Sequence, residues 1–126
     1  MASIQETLRA VLGADATLAE LVADRIFPGE LPDDEMPPPW LYYEVPESVP
    51  FDELDDTAID VRSEVEFHAL ADRYGQAKAI IDAVTDVLKN YTGGEIKRSL
   101  WLGSSEDSTD DGHHHAARFA VWWVLT

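Results

Sequence analysis

Between residues 59 and 68 the chain reads Ile-Asp-Val-Arg-Ser-Glu-Val-Glu-Phe-His. Ile59, Val61, Val65 and Phe67 point to one side of an extended chain, and Asp60, Arg62, Glu64, Glu66 and His68 to the other. Such alternation predicts a strand with one buried and one wet face. Directly after it the period changes. Ala77, Ile80, Ile81, Val84, Leu88 and Tyr91 recur at three- and four-residue steps, which predicts a helix over about Ala71 to Tyr91 with a continuous apolar stripe. Gly93-Gly94 ends it. A half-wet strand feeding a one-sided helix implies a sheet that the helix covers on one face.

Outward from this pair the remaining elements fall into place. Residues 3–12 read as a short helix opened by a Ser3–Glu6 capping box, with Ile4, Leu8, Val11 and Leu12 on one face and Gly13 as a left-handed stop. Asp15 caps a second short helix carrying Leu18, Leu21 and Val22, and Arg25 to Gly29 is an extended piece closed by Pro-Gly. The prolines of residues 30–39 make that segment a loop. Trp40 to Val45 is a strand, and the acidic stretch 46–58, broken by Pro46 and Pro50, is a long hairpin arm or a loop. Residues 95–102 alternate as a further strand, and residues 103–115 read as a polar loop. Arg118 to Thr126 is a strand apolar on both faces, central in a covered sheet or placed in a subunit contact. The order is αα-β-β-β-α-β-β without an internal repeat. The expected class is α+β: one domain over residues 1–126, with a mixed or antiparallel sheet of about five strands, one long helix on a face and short N-terminal helices.

Composition narrows the function. The 126 residues contain 9 Lys and Arg against 25 Asp and Glu, a net charge of −16. That balance disfavours holding nucleic acid by its phosphates, and equally docking on an anionic membrane. With no cysteine there is no disulfide, thiol catalysis or thiolate zinc site. No apolar run reaches the roughly 20 residues of a membrane span. The N-terminus lacks the basic start of a signal peptide, so a cytoplasmic setting is expected.

Candidate chemistry is sparse. His113, His114 and His115 stand beside Asp110 and Asp111, but consecutive residues on an extended chain alternate in direction and do not converge on one metal. A solvated hairpin tip is the expectation there. A calcium-loop alignment starting at Asp107 places Arg118 where the bidentate Glu belongs, and fails. The Asp33-Asp34 and Asp55-Asp56 pairs lack the apolar surroundings that would shift a carboxyl pKa. No phosphate loop, nucleophile elbow or zincin motif occurs. No enzyme activity, catalytic residue, metal or cofactor is therefore expected. The acids are, however, one-sided: between Ile26 and Val61 eleven occur without a Lys or Arg among them. This is a solvated surface, or a charge field facing a particular partner.

One arrangement carries more. Asp15-Ala16, Leu18, Leu21-Val22, Arg25-Ile26 and Pro28 precede Pro39-Trp40-Leu41-Tyr42-Tyr43; then follow the strand Val61–Phe67, the run Ala71-Asp72-Arg73-Tyr74 with Ala77-Lys78, Ile81 and Val84, and the closing strand Phe119–Val124. This order resembles the tail terminator, or tail-completion, proteins of long-tailed bacteriophages and gene transfer agents. The resemblance implies a structural virion protein assembled in the host cytoplasm: a ring, of six copies, capping the head-proximal end of the tail tube. Its partners would be other copies of itself, the tail tube protein and a neck or head-completion protein, with genome DNA passing through unbound and no membrane involved. On that view Phe51, Trp101, Trp122 and Trp123 serve subunit or partner contacts. Asp52, Glu53, Asp55 and Asp56 line an acidic lumen or face a partner. A head–tail neck stopper, an acidic adaptor binding a cationic protein, and a metal-dependent hydrolase built on the His-Asp segment are the alternatives.

Overall fold

The computed structural model describes residues 4–29, 37–53, 59–89, 91, 93, 96–109 and 112–125, with residues 47, 49–53, 59, 60, 109 and 125 as backbone. Two short helices, α1 (Ile4–Gly13) and α2 (Ala16–Val22), precede the strands β1 (Ile26–Pro28), β2 (Trp40–Glu53) and β3 (Ile59–Ala71). The helix α3 (Tyr74–Leu88) then leads to β4 (Ile96–Thr109) and β5 (Gly112–Leu125). The strands form one sheet in the order β1-β2-β3-β5-β4, parallel only between β1 and β2. The fold is α+β, as the change of period at residue 71 implies. Among the described residues no helix is long and apolar enough to cross a membrane.

All three helices lie on one side of the sheet. Leu8 and Leu12 of α1, Leu18 of α2, and Ile80, Ile81, Val84 and Leu88 of α3 are fully buried against Tyr43, Val65, Phe67 and Phe119. Phe67 stands tilted against Tyr43 and edge-on to Phe119, with centroids 5.3 and 5.7 Å apart. Two polar groups enter this core with partners. The Trp123 indole Nε1 donates to Ser63 Oγ at 2.9 Å, and Ser63 Oγ lies 2.7 Å from Ser48 Oγ. The Tyr43 hydroxyl donates to the Gln5 carbonyl at 2.5 Å, tying α1 to the sheet. Burial raises the Tyr43 phenol well above its ordinary range, so it remains a donor.

Several expectations change in detail. Gly13 is the last residue of α1 and has no positive φ; a positive φ, 55°, falls instead on Ala23, after α2. Asp15 does cap α2, accepting from the Leu18 amide at 3.0 Å. Ser3, in the expected capping box, lies outside the described residues. The helix starts at Tyr74, later than position 71, because Ala71 still pairs with His113. The largest correction concerns 103–115. It is no loop: β4 and β5 pair without a break from Gly103↔Arg118 to Thr109↔Gly112, leaving positions 110 and 111 between them. Backbone ladder bonds, not side-chain hydrophobicity, extend a strand through Ser104, Ser105, Asp107 and Ser108 once β5 is fixed against β3. Gly112 fits this tip because its φ is 142° and an added Cβ would lie 2.6 Å from the Ala71 carbonyl oxygen. Of the stretch 46–58, residues 46–53 belong to β2, which pairs with β3 out to Glu53↔Ile59 with shifts of register after Glu44 and Pro50; residues 54–58 lie outside the described residues.

Candidate functional site

Among the described residues no helix covers the other face of the sheet. Alternation along β3 sends Arg62, Glu64, Glu66 and His68 there. The register adds Trp40, Tyr42 and Glu44 from β2; His114, Ala116, Arg118 and Trp122 from β5; and Arg98 and Leu100 from β4. Most of these side chains are half-buried by one another.

At one end of this face the rings form a ladder. Trp40 meets Tyr42 edge-on at 5.8 Å, Tyr42 stacks on His68 at 4.9 Å, and His68 lies edge to edge with His114, centroids 5.2 Å and planes 7° apart. His68 Nδ1 and His114 Nε2 are 3.0 Å apart and share a hydrogen bond. The other nitrogen of His68, Nε2, is buried without a hydrogen-bond partner and lies 3.9 Å from Glu44 Oε1. Glu66 stands directly opposite Glu44 on the neighbouring strand. One donor atom from each of Glu44, Glu66 and His68 lies within 4.8 Å of the other two. Burial, then the nearby Glu66 carboxylate, raise the Glu44 carboxyl above its usual range. Burial, reinforced by His114, lowers His68, with Glu66 opposing. Burial also lowers His114, opposed by Asp107. Both imidazoles thus favour their neutral, lone-pair-bearing forms. Glu66, His68 and His114 border a depression of about 280 Å³ floored by Ala116 and Ala117.

Towards the other end of the face the charge reverses. The guanidinium carbons of Arg62 and Arg98 lie 5.5 and 4.9 Å from the centre of the Trp122 ring. This is a cation–π arrangement. Arg118 pairs with Glu64 at 2.7 Å.

The lateral border of the sheet is different again. β4 is an edge strand, and it carries three consecutive exposed apolar residues: Leu100 at 40%, Trp101 at 50% and Leu102 at 39% exposure. An edge ladder combined with large apolar side chains is an adhesive feature that isolated domains avoid.

The residues singled out in the sequence are thereby dispersed. Trp101 is on the exposed edge, where its Nε1 donates to Ser104 Oγ at 3.2 Å. Trp122 lies on the uncovered face between two arginines, whereas Trp123 packs in the core, 7% exposed. Phe51, Asp52 and Glu53 lie at the far end of β2, as backbone; Asp55 and Asp56 lie outside the described residues. The three histidines are no solvated tip. They occupy β5 and alternate in direction: His114 joins the ring ladder, while His113 and His115 turn to the helix side beside Tyr74. His115 is 8% exposed, with Nδ1 3.6 Å from Glu106 Oε2. Asp110 and Asp111 lie outside the described residues. Sequence reasoning missed Glu44, Glu66 and His68 as a group. The wet alternation of β3 contained two of them, but the register that brings up Glu44 depends on the β2–β3 pairing.

The comparisons follow this architecture. A family model described as tail completion protein gp17 matches residues 6–125. A chain in the structure titled "Virion of native gene transfer agent (GTA) particle" superposes with a TM-score of 0.71 at 19% identity, covering 98% of this chain and 96% of its own. The bacteriophage SPP1 gp17 protein gives a TM-score of 0.50 at 16% identity, covering 97% and 88%. No curated protein sequence matches.

Proposed function

This chain belongs to the tail completion protein gp17 family, with a structural role in tail assembly, and on that premise we propose that it closes into a ring capping the head-proximal end of a tail tube. The supporting observation is the edge of β4, with Leu100, Trp101 and Leu102 exposed in succession beside an outer ladder that no strand pairs among the described residues. A ring is built from heterologous contacts, in which one surface of each copy meets a different surface of the next. The β4 edge is one such surface. The end of the β2–β3 hairpin, beside the last residues of β5, supplies a second, with Phe51 near it. Six copies, the tail tube below and a neck or head-completion protein above complete the reading. Asp52, Glu53, Asp55 and Asp56 then face the lumen, where carboxylates repel phosphate and let DNA pass. The net charge of −16 also opposes premature association of free subunits, an opposition that salt screens. Nothing in this role calls for catalysis.

Electron microscopy of the purified protein mixed with its own tail tubes tests the proposal. Rings at one end of each tube are expected. Trp101→Glu should abolish them, and mass photometry should show the variant as a monomer in salt that assembles the parent. A protein that never associates with tubes under any salt condition overturns the proposal. Decoration of head vertices in place of tube ends would make the protein a neck stopper instead.

A further inference from the structure

We propose that Glu44, Glu66 and His68 form a binding site for one divalent transition-metal ion of borderline hardness, with Zn²⁺ the best fit. The donor set is two carboxylates and one imidazole, on the adjacent strands β2 and β3. Carboxylate oxygen and neutral imidazole nitrogen are both zinc ligands, at about 2.0–2.2 Å, and three protein ligands leave a position for water. Tetrahedral bonds of that length set donors about 3.3–3.6 Å apart. Glu44 Oε1 and His68 Nε2 are already 3.9 Å apart, and the three donors span no more than 4.8 Å. Small rotations of two glutamates close the difference.

Three features argue that this is more than a crowd of acids. First, His68 Nε2 is buried with no hydrogen-bond partner, an arrangement that is unfavourable unless something occupies it. Second, the opposite nitrogen is already engaged. Nδ1 bonds His114 Nε2 at 3.0 Å, and the ring is held between Tyr42 and His114. A metal-binding imidazole characteristically has its other nitrogen fixed by such an outer partner. Third, the neighbouring cation is diverted. Arg118 stands opposite Glu66 in the ladder, yet its guanidinium reaches Glu64. Glu66 is left facing Glu44, and two carboxylates turned towards one lone pair suit a dication. The depression bordered by Glu66, His68 and His114 supplies a way in from solvent. The site lies within one chain, so it stands or falls independently of the ring.

Titration of the full chain with Zn²⁺ by calorimetry, after stripping with EDTA, is the test, with Co²⁺ absorption as the coordination probe. One ion per chain is expected, and Zn²⁺ should raise the melting temperature, because the ion binds the folded state. His68→Phe keeps a ring in the stack and removes the ligand nitrogen; it should lose saturable binding. Glu66→Gln and Glu44→Gln, which preserve shape, should weaken it, and they decide the matter if the His68 variant fails to fold. His114→Phe should weaken binding about 10–100-fold, as an outer partner does. His113→Ala should bind as the parent does. No uptake by the parent overturns the proposal, as does binding that survives the Glu44 and Glu66 changes or disappears with His113.

Discussion

The two faces of the sheet come from the same strands and obey opposite rules. On β3, Val65 and Phe67 are wholly buried beneath the helices, while Glu64, Glu66 and His68, one step away each, form contacts at an open surface. The covered face joins apolar groups whose removal from water stabilises the fold. On the open face, histidines hydrogen-bond edge to edge, acids gather, arginines lie over an indole, and a depression remains. Burying such groups within the subunit brings little net stability. The division suggests that folding is carried by one face and recognition by the other.

Mutation should separate the faces sharply. Phe119→Ala is expected to have the largest effect. Its ring is fully buried, edge-on to Phe67 at 86°, and truncation leaves a cavity beneath α3. A loss of about 3–5 kcal/mol is expected, read as a lower urea midpoint at unchanged slope. A loss below about 1 kcal/mol would mean that the covered face is not the centre of stability. Ser63→Ala is the next step down. It removes the acceptor of the buried Trp123 Nε1 and the partner of Ser48. An unsatisfied buried donor costs about 1–3 kcal/mol, and the same unfolding curve measures it.

Much of the covered face was legible in the sequence. The alternation of Val61, Val65 and Phe67, and the stripe from Ala77 to Leu88, each state which way a side chain points, and burial follows that period. Legibility failed where local chemistry and tertiary context disagree. Residues 103–109 carry Gly, three Ser and two acids before Thr109, a loop-like composition. They are nonetheless a strand, because the paired β5 offers them a ladder. The same cause hid the metal-like group. Glu66 and His68 were readable as a wet face, but no local pattern says that Glu44, on the preceding strand, stands opposite Glu66. Trp122 and Trp123 are adjacent and equally apolar, and only the alternation fixed by pairing with β3 sends one to the arginines and the other to the core.

On the open face the expected effects are smaller, and Arg118→Ala is the sharpest case because its ion pair looks strong. The guanidinium and the Glu64 carboxylate are 2.7 Å apart, and Glu64 is the first cause of the raised Arg118 pKa. Yet the arginine side chain is 56% exposed and the glutamate 24%. Water and salt screen such a pair, and holding two long side chains in one geometry costs entropy, so the net contribution is small. Arg118→Ala should therefore shift the urea midpoint far less than Ser63→Ala, and the difference from the parent should shrink further as salt is added. A double-mutant cycle with Glu64→Gln isolates the pairwise part. A coupling as large as the Ser63→Ala effect that persists at high salt would show that this face also holds the subunit together, and the separation of folding from recognition between the two faces would fail.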